Sequence, residues 1–144
     1  LGKGYQIMQS KIAIGSGGIF GKGYLTGSQS RLDFLPEKHT DFVYTLISEE
    51  MGFVGSMSLL ILYFVIIIIL MREFLKEEYF TNKIIIFGIS FLIFLYVIFN
   101  VGMVSGLIPV VGAPLPFISN GGTSLITIFI GLGIIQSIRV SRNV

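Results

Sequence analysis

Long apolar runs separated by short charged patches dominate this chain. No charged residue occurs from Met51 to Met71, a stretch that matches the roughly 20 residues a bilayer core requires. A second uncharged stretch, Ile84 to Ile138, is too long for one helix, and Pro109, Pro114 and Pro116 interrupt it. The pattern therefore predicts three membrane spans.

The segment boundaries follow from the places where charge, glycine or proline interrupts the apolar pattern. Non-helical backbone at membrane depth is tolerated only against protein or a watery cavity, so we expect the proline-rich part to form a re-entrant hairpin. The predicted fold is an all-α membrane protein, a polytopic transmembrane helix bundle whose extracytoplasmic loop contains short helices. In chain order, the predicted segments are a Gly-rich extracytoplasmic loop with an amphipathic interfacial segment (1–40), a span (41–71), a cytoplasmic connector (72–83), a span (84–104), an extracytoplasmic or re-entrant loop (105–122), a span (123–138) and a cytoplasmic tail (139–144).

The composition agrees with a membrane protein, because 12% of the residues are charged, whereas a soluble domain carries about 25%. There is no cysteine and one histidine, so thiolate and His-rich metal sites are excluded within this chain. The net charge is +2, and no basic patch interleaved with aromatic residues suggests a nucleic-acid partner. The chain starts with Leu1, and we expect it to be the C-terminal part of a longer protein.

Basic residues close to the span ends set the predicted orientation. Arg72, Lys83, Arg139 and Arg142 flank the spans on the connector and tail side, which favours that side as cytoplasmic. The Gly-rich loop and the start of the first span would then face outward.

The stretch LPEKHTDFVYTLISEEMGFVG carries ionisable residues into the start of the first span. Such groups are costly beside a membrane segment unless they have a function. If residues 38–52 are helical, Asp41, Thr45, Ser48 and Gly52 share one face, which should meet a cavity or another helix. Asp41 could act there as a general base, or it could be a capping or ion-paired residue; the residues alone leave both readings open.

The segment GSGGIFGKGYLTGSQS is dense in glycine, which indicates tight turns and close backbone approach. It does not fit a P-loop, because Gly23 follows Lys22 where that motif requires Ser or Thr. Two readings remain: a turn-rich loop packed on the membrane domain, or a nest of amides beside an anionic ligand. Glu49 lies deeper in the span, and we expect it or Glu50 to pair with a basic residue of a missing helix.

Three segments in order, GSGGIFGKG, GSQSRLDFLPEKHTDFVYTLISEEMGFVG and NVGMVSGLIPVVGAPLPFISNGG, resemble the SEDS proteins (shape, elongation, division and sporulation), most of all their RodA-like branch. The resemblance covers almost the entire chain. It implies a multi-pass enzyme of the bacterial cytoplasmic membrane that polymerises lipid II into glycan strands at the outer face during cell elongation. It also implies a class B penicillin-binding protein as the partner that crosslinks the strands.

The resemblance places the family's essential acidic residue on Asp41 and implies inverting transfer from a lipid-linked sugar donor. Asp41 would take the proton from the acceptor hydroxyl while an undecaprenyl pyrophosphate leaves, which requires positive charge from basic side chains or a divalent cation such as Mg²⁺. The family's usual Ser-Tyr-Gly-Gly-Ser reads here as Ser-Asn-Gly-Gly-Thr from residue 119, which removes a ring from the expected cavity wall. The candidate substrate-binding residues are Lys11, Arg31, Lys38, His39, Ser105, Ser119 and Asn120. From the residues alone, Lys38 and Arg31 could also be solvated loop charges, and Ser105, Ser119 and Asn120 could instead satisfy the broken backbone of the proline hairpin.

Two other functions compete with the glycosyltransferase. A lipid II flippase would suit the broken helices, but a transporter should place essential ionisable groups near the membrane midplane. A non-catalytic scaffold for the penicillin-binding protein should tolerate loss of the Asp41 carboxylate.

Overall fold

The structure, a computed structural model, describes residues 3–24 and 41–142. Its helices are α1 (Lys3–Ser16), α2 (Val43–Lys76), α3 (Phe80–Val104) and α4 (Gly122–Arg142). Helices α2, α3 and α4 are each long and apolar enough to cross a membrane, and no strand occurs in the two described ranges. The predicted all-α membrane fold with three spans is confirmed.

The helices extend beyond the uncharged runs, so the connector predicted over 72–83 is reduced to residues 77–79. Ion pairs at this end of the bundle explain the difference. Arg142, in the last turn of α4, lies 2.7 Å from a carboxylate oxygen of Glu73 and 3.6 Å from one of Glu77. Because these carboxylates are neutralised locally, α2 can continue past its apolar stretch.

Helix α2 is sharply bent at Gly52, whose φ of 67° and ψ of −161° are not helical. The Ser56 hydroxyl donates a hydrogen bond to the Ser48 hydroxyl at 2.8 Å. In a straight helix, eight residues rise about 12 Å along the axis, so the segments on the two sides of Gly52 are not collinear. The span predicted over 41–71 is therefore broken at Gly52 in the structure, with a helical segment on each side of this residue.

The glycine-rich turn that follows α1 fills the break in α2. In an unbroken helix, the amide of residue 53 would donate to the carbonyl of residue 49, and the amide of residue 54 would donate to the carbonyl of residue 50. Here the turn supplies a substitute partner for each of these four groups. The bonds are Lys22 N to Glu49 O (3.0 Å), Gly23 N to Glu50 O (3.0 Å), Phe53 N to Gly18 O (2.8 Å) and Val54 N to Ile19 O (3.1 Å). The described part of the glycine-rich segment, residues 15–24, is thus packed on the membrane domain, and the Lys22 and Gly23 amides are engaged with α2.

Glycine is required at several close points of this contact, two of which are Gly21 and Gly52. A Cβ atom on Gly21 would lie 2.1 Å from the Glu50 carbonyl oxygen, and one on Gly52 would lie 2.3 Å from the Gly21 nitrogen. Both residues also have positive φ, which L side chains adopt only at a cost. The glycines predicted to allow close backbone approach therefore do so against α2.

A buried ion pair reinforces the same contact. Lys22 Nζ lies 2.9 Å from a carboxylate oxygen of Glu49, whose side chain is fully buried. A buried carboxylate needs such a partner because desolvation of the isolated charge is costly. We expected a basic residue from a missing helix, whereas the structure supplies one from the turn after α1.

Helix α1 packs against the face of α2 that carries the small polar residues Thr45 and Ser48. The buried Ser10 hydroxyl hydrogen-bonds to the Thr45 hydroxyl at 2.8 Å and donates to the Val104 carbonyl at 2.7 Å. These contacts join α1, α2 and the end of α3. At Thr45, the predicted small polar face of α2 thus meets another helix, as we expected for this face.

Candidate active site

Asp41 lies in the turn before α2, and its side chain lines a cavity of about 590 Å³. The walls come from this turn, from α3, from the segment that joins α3 to α4, and from the first turns of α4. The remaining lining residues are Tyr96, Gly112, Pro114, Asn120, Gly121, Thr123, Ser124 and Thr127. Hydroxyl, amide and aromatic groups around one carboxylate can bond and stack against a polyhydroxylated ligand.

The start of α2 leaves Asp41 outside the helix. The Thr45 amide donates to the carbonyl of Phe42, at 3.0 Å, whereas a helix that included Asp41 would direct this amide to the Asp41 carbonyl. That carbonyl instead accepts a 2.9 Å hydrogen bond from the side-chain amide of Asn100. The helix that we expected over 38–52 does not include Asp41 in the described structure, because the Asp41 carbonyl is bound elsewhere.

The Asp41 carboxylate lies beside the backbone of the α3–α4 segment. A Cβ atom built on Gly112 would be 3.4 Å from Asp41 Oδ2. An added Cβ atom at Gly112 would thus lie within van der Waals contact of the carboxylate. The segment also contacts α2 directly, since the Tyr63 hydroxyl donates a hydrogen bond to the Pro116 carbonyl. Its placement as a re-entrant hairpin stays a prediction.

Of the predicted substrate-binding residues, Asn120 lines the same cavity as Asp41. Ser119 is buried, and its hydroxyl accepts a 2.8 Å hydrogen bond from the Leu115 amide, so it stabilises the turn of the α3–α4 segment.

Two other predicted residues lie elsewhere. Ser105 donates to the Val101 carbonyl and lines a separate cavity of about 320 Å³ between α1 and α2. The Lys11 side chain is exposed and passes over Gly106, since a Cβ atom there would be 2.0 Å from Lys11 Cε. Arg31, Lys38 and His39 lie outside the described residues. Substrate binding by these residues stays a prediction.

Several residues that line the cavity, and Asn100, which bonds to its wall, were not predicted from the sequence. Asn100 carried a detectable signal, because it is a polar residue within the apolar sequence of α3. The others did not stand out, since uncharged hydroxyl residues are common near span ends. These are Tyr96, Thr123, Ser124 and Thr127.

Within the described ranges, no three His, Cys, Asp or Glu side chains are grouped so that they could hold a metal ion. Asp41 is the only carboxylate among the described lining residues of the 590 Å³ cavity. A Mg²⁺ ion typically keeps several waters and binds one or two carboxylates together with substrate phosphates. The cavity therefore fits an ion shared with a phosphate-bearing ligand better than one held by the protein alone.

The family profile described as "Cell cycle protein", which covers FtsW, RodA and SpoVE, matches residues 1–144. The peptidoglycan glycosyltransferase MrdB of Escherichia coli (strain K12) is 48% identical over 143 residues, which are 99% of this chain and 39% of that protein. The chain thus spans about two fifths of the length of this relative.

Solved structures agree with the sequence comparisons. The crystal structure of an aspartate-to-alanine mutant of the rod shape determining protein RodA from Thermus thermophilus superimposes with a TM-score of 0.67 at 33% identity, over 81% of this chain and 36% of that chain. A chain from a peptidoglycan synthase complex that coordinates polymerization and crosslinking gives a TM-score of 0.71 at 29% identity over 92% of this chain and 36% of that chain. The helices and their packing are therefore those of this family.

Proposed function

The chain belongs to the FtsW, RodA and SpoVE family of cell cycle proteins, and from this premise we propose that it is part of a peptidoglycan glycosyltransferase that polymerises lipid II during cell elongation. The observation that carries the proposal is the Asp41 carboxylate in the wall of a polar cavity. The cavity is lined by the turn before α2, by α3 and by the first turns of α4, and each of these helices has membrane length. The Escherichia coli relative is a peptidoglycan glycosyltransferase, which supports the same activity.

Asp41 acts as the general base in the proposed reaction. Its carboxylate accepts the proton of the acceptor sugar hydroxyl, and the resulting oxygen nucleophile attacks the anomeric carbon of the donor. The bond from that carbon to the pyrophosphate oxygen breaks, the undecaprenyl pyrophosphate leaves with the electron pair, and the anomeric configuration inverts. The partial exposure of Asp41 supports this role, because a base must reach both the substrate and the solvent that finally takes the proton.

Positive charge stabilises the departing pyrophosphate. We assign this role to Lys38 and Arg31, with His39 and Asn120 as further candidates for substrate contact. A Mg²⁺ ion bound to the substrate phosphates and Asp41 would supply additional positive charge.

We place the active site at the outer face of the bacterial cytoplasmic membrane. The basic residues at the other ends of the spans, which include Arg139 and Arg142, favour that end as cytoplasmic. A class B penicillin-binding protein is the proposed partner, because the solved relative belongs to a peptidoglycan synthase complex. That partner would crosslink the strands that this protein polymerises.

Purified full-length protein in liposomes, supplied with lipid II, tests the activity against its two competitors. We expect glycan strands whose length increases with time when lipid II is supplied on the accessible outer face. Movement of lipid II between leaflets without polymer would favour a flippase. Absence of both activities, with retained binding of the penicillin-binding protein, would favour a scaffold.

A further inference from the structure

Asn100 connects two walls of the Asp41 cavity through one side-chain amide. It lies near the end of α3 and is fully buried. Its Nδ2 atom donates to the carbonyl of Asp41 at 2.9 Å and to the carbonyl of Ala113 at 2.7 Å. Because both partners are carbonyl oxygens, which only accept hydrogen bonds, the nitrogen of the amide must face them. The two donors of one NH₂ group are thus both used.

The first of these bonds determines where α2 starts. With its carbonyl bound to Asn100, Asp41 cannot accept the Thr45 amide, which bonds to Phe42 instead. Without Asn100, the Asp41 carbonyl would lose this bond, and acceptance of the Thr45 amide in its place would extend the helix backwards. Each residue added to a helix rotates by about 100°, so this change would redirect the Asp41 side chain.

The second bond fixes the opposite wall. Ala113 lies between Gly112 and Pro114, which both line the cavity. Gly112 is the residue whose Cβ position is 3.4 Å from Asp41 Oδ2. The same amide therefore sets both the direction of the carboxylate and the position of the backbone beside it.

An apolar residue would be the ordinary choice at a buried position in a membrane-length helix. The Oδ1 atom of Asn100 is buried and has no hydrogen-bond partner among the described residues, and a buried polar atom without a partner costs stability. An asparagine at this position is therefore better explained by its two donated bonds than by packing.

We propose that Asn100 is a positioning residue for the transfer reaction, which holds Asp41 outside α2 and the 112–114 wall beside it so that the carboxylate faces the substrate. The inference rests on the proposed function, since it assumes that Asp41 is the base. Asn100 itself does not contact the substrate.

The test compares Asn100→Ala and Asn100→Ser with Ser90→Ala in the full-length protein, with lipid II as the substrate. Ser90 is a matched control, because it is also buried in α3 but donates only to a carbonyl of its own helix, that of Ile86. We expect Asn100→Ala to lower kcat per folded molecule about 100-fold, the scale of a misplaced catalytic group, with KM close to wild type. Asn100→Ser replaces the amide with a hydroxyl that can donate one hydrogen bond, and it should give an intermediate kcat. If the alanine variant does not fold, the serine variant is used for the test.

Wild-type kcat per folded molecule in the Asn100 variants would overturn the inference, and so would a raised KM with unchanged kcat. A fall no larger than that of Ser90→Ala would also overturn it. The Asp41→Asn variant, measured in the same assay, distinguishes failure of the Asn100 positioning role from failure of the proposed base. If Asp41→Asn is inactive while the Asn100 variants are fully active, the positioning role fails and the proposed base stands; if Asp41→Asn is active, the proposed base itself fails.

Discussion

Replacing Gly21 with alanine should separate the glycine-rich turn from α2. The new Cβ atom would lie 2.1 Å from the Glu50 carbonyl oxygen, 2.4 Å from the Glu50 carbonyl carbon and 2.7 Å from the Gly52 nitrogen. All three are backbone atoms, so no side-chain rotation can relieve the contact. The turn must therefore move away from Glu50, which displaces the hydrogen bonds that the Lys22 and Gly23 amides donate to α2.

Gly18 provides a matched control for the size of this effect. It also has a positive φ, of 59°, but a Cβ atom there would meet nothing within 4 Å. Gly18→Ala should therefore cost only the backbone strain, about 1–2 kcal/mol. Gly21→Ala should add about 1 kcal/mol for each of the two displaced bonds from Lys22 and Gly23, which gives about 3–4 kcal/mol in total.

Denaturant titration of the full-length protein in detergent micelles, followed by circular dichroism, measures both variants. The expected result is a clearly larger loss of unfolding free energy for Gly21→Ala than for Gly18→Ala. Equal losses would show that the turn does not need to approach α2 this closely, and the description of the helix break would then be wrong.

The same titration tests the two ion-pair clusters. Lys22→Met should cost about 3 kcal/mol, because it leaves the buried Glu49 carboxylate without its lysine, and the double variant Lys22→Met/Glu49→Gln should recover part of this loss; no recovery would contradict the pairing. Arg142→Ala should cost about 2 kcal/mol by removing the hydrogen-bonded partner of Glu73. Arg139→Ala, an exposed position, should stay within about 0.5 kcal/mol of wild type. Equal effects of the two arginines would show that the Glu73 contact contributes little.

The spans could be predicted from the sequence because their signal is local. An uncharged stretch of membrane length specifies a helix whatever it packs against. The break at Gly52 could not, because a glycine in an apolar helix looks the same whether it bends the chain or packs closely. What decides the outcome is the turn at residues 17–23, which supplies replacement hydrogen bonds from about 30 residues earlier in the chain.

The residues of the site, like the helices, could be predicted only where the sequence signal is local. Asp41 stood out because a carboxylate beside an apolar run is costly, and Asn120 was a candidate because it borders the proline- and glycine-rich segment. The role of Asn100 could not be predicted, because its two partners are backbone carbonyls 59 and 13 residues away. Tyr96 was missed because α3 is apolar around most of its circumference, so its sequence does not indicate which face lines a cavity.

The central claim is that the Asp41 carboxylate removes the proton from the acceptor sugar. The most direct measurement is lipid II polymerisation by the full-length Asp41→Asn variant, which keeps the size of the side chain but removes the base. We predict no glycan strands, with folding and binding of the penicillin-binding protein unchanged. Polymerisation at the wild-type rate in this variant would contradict the claim.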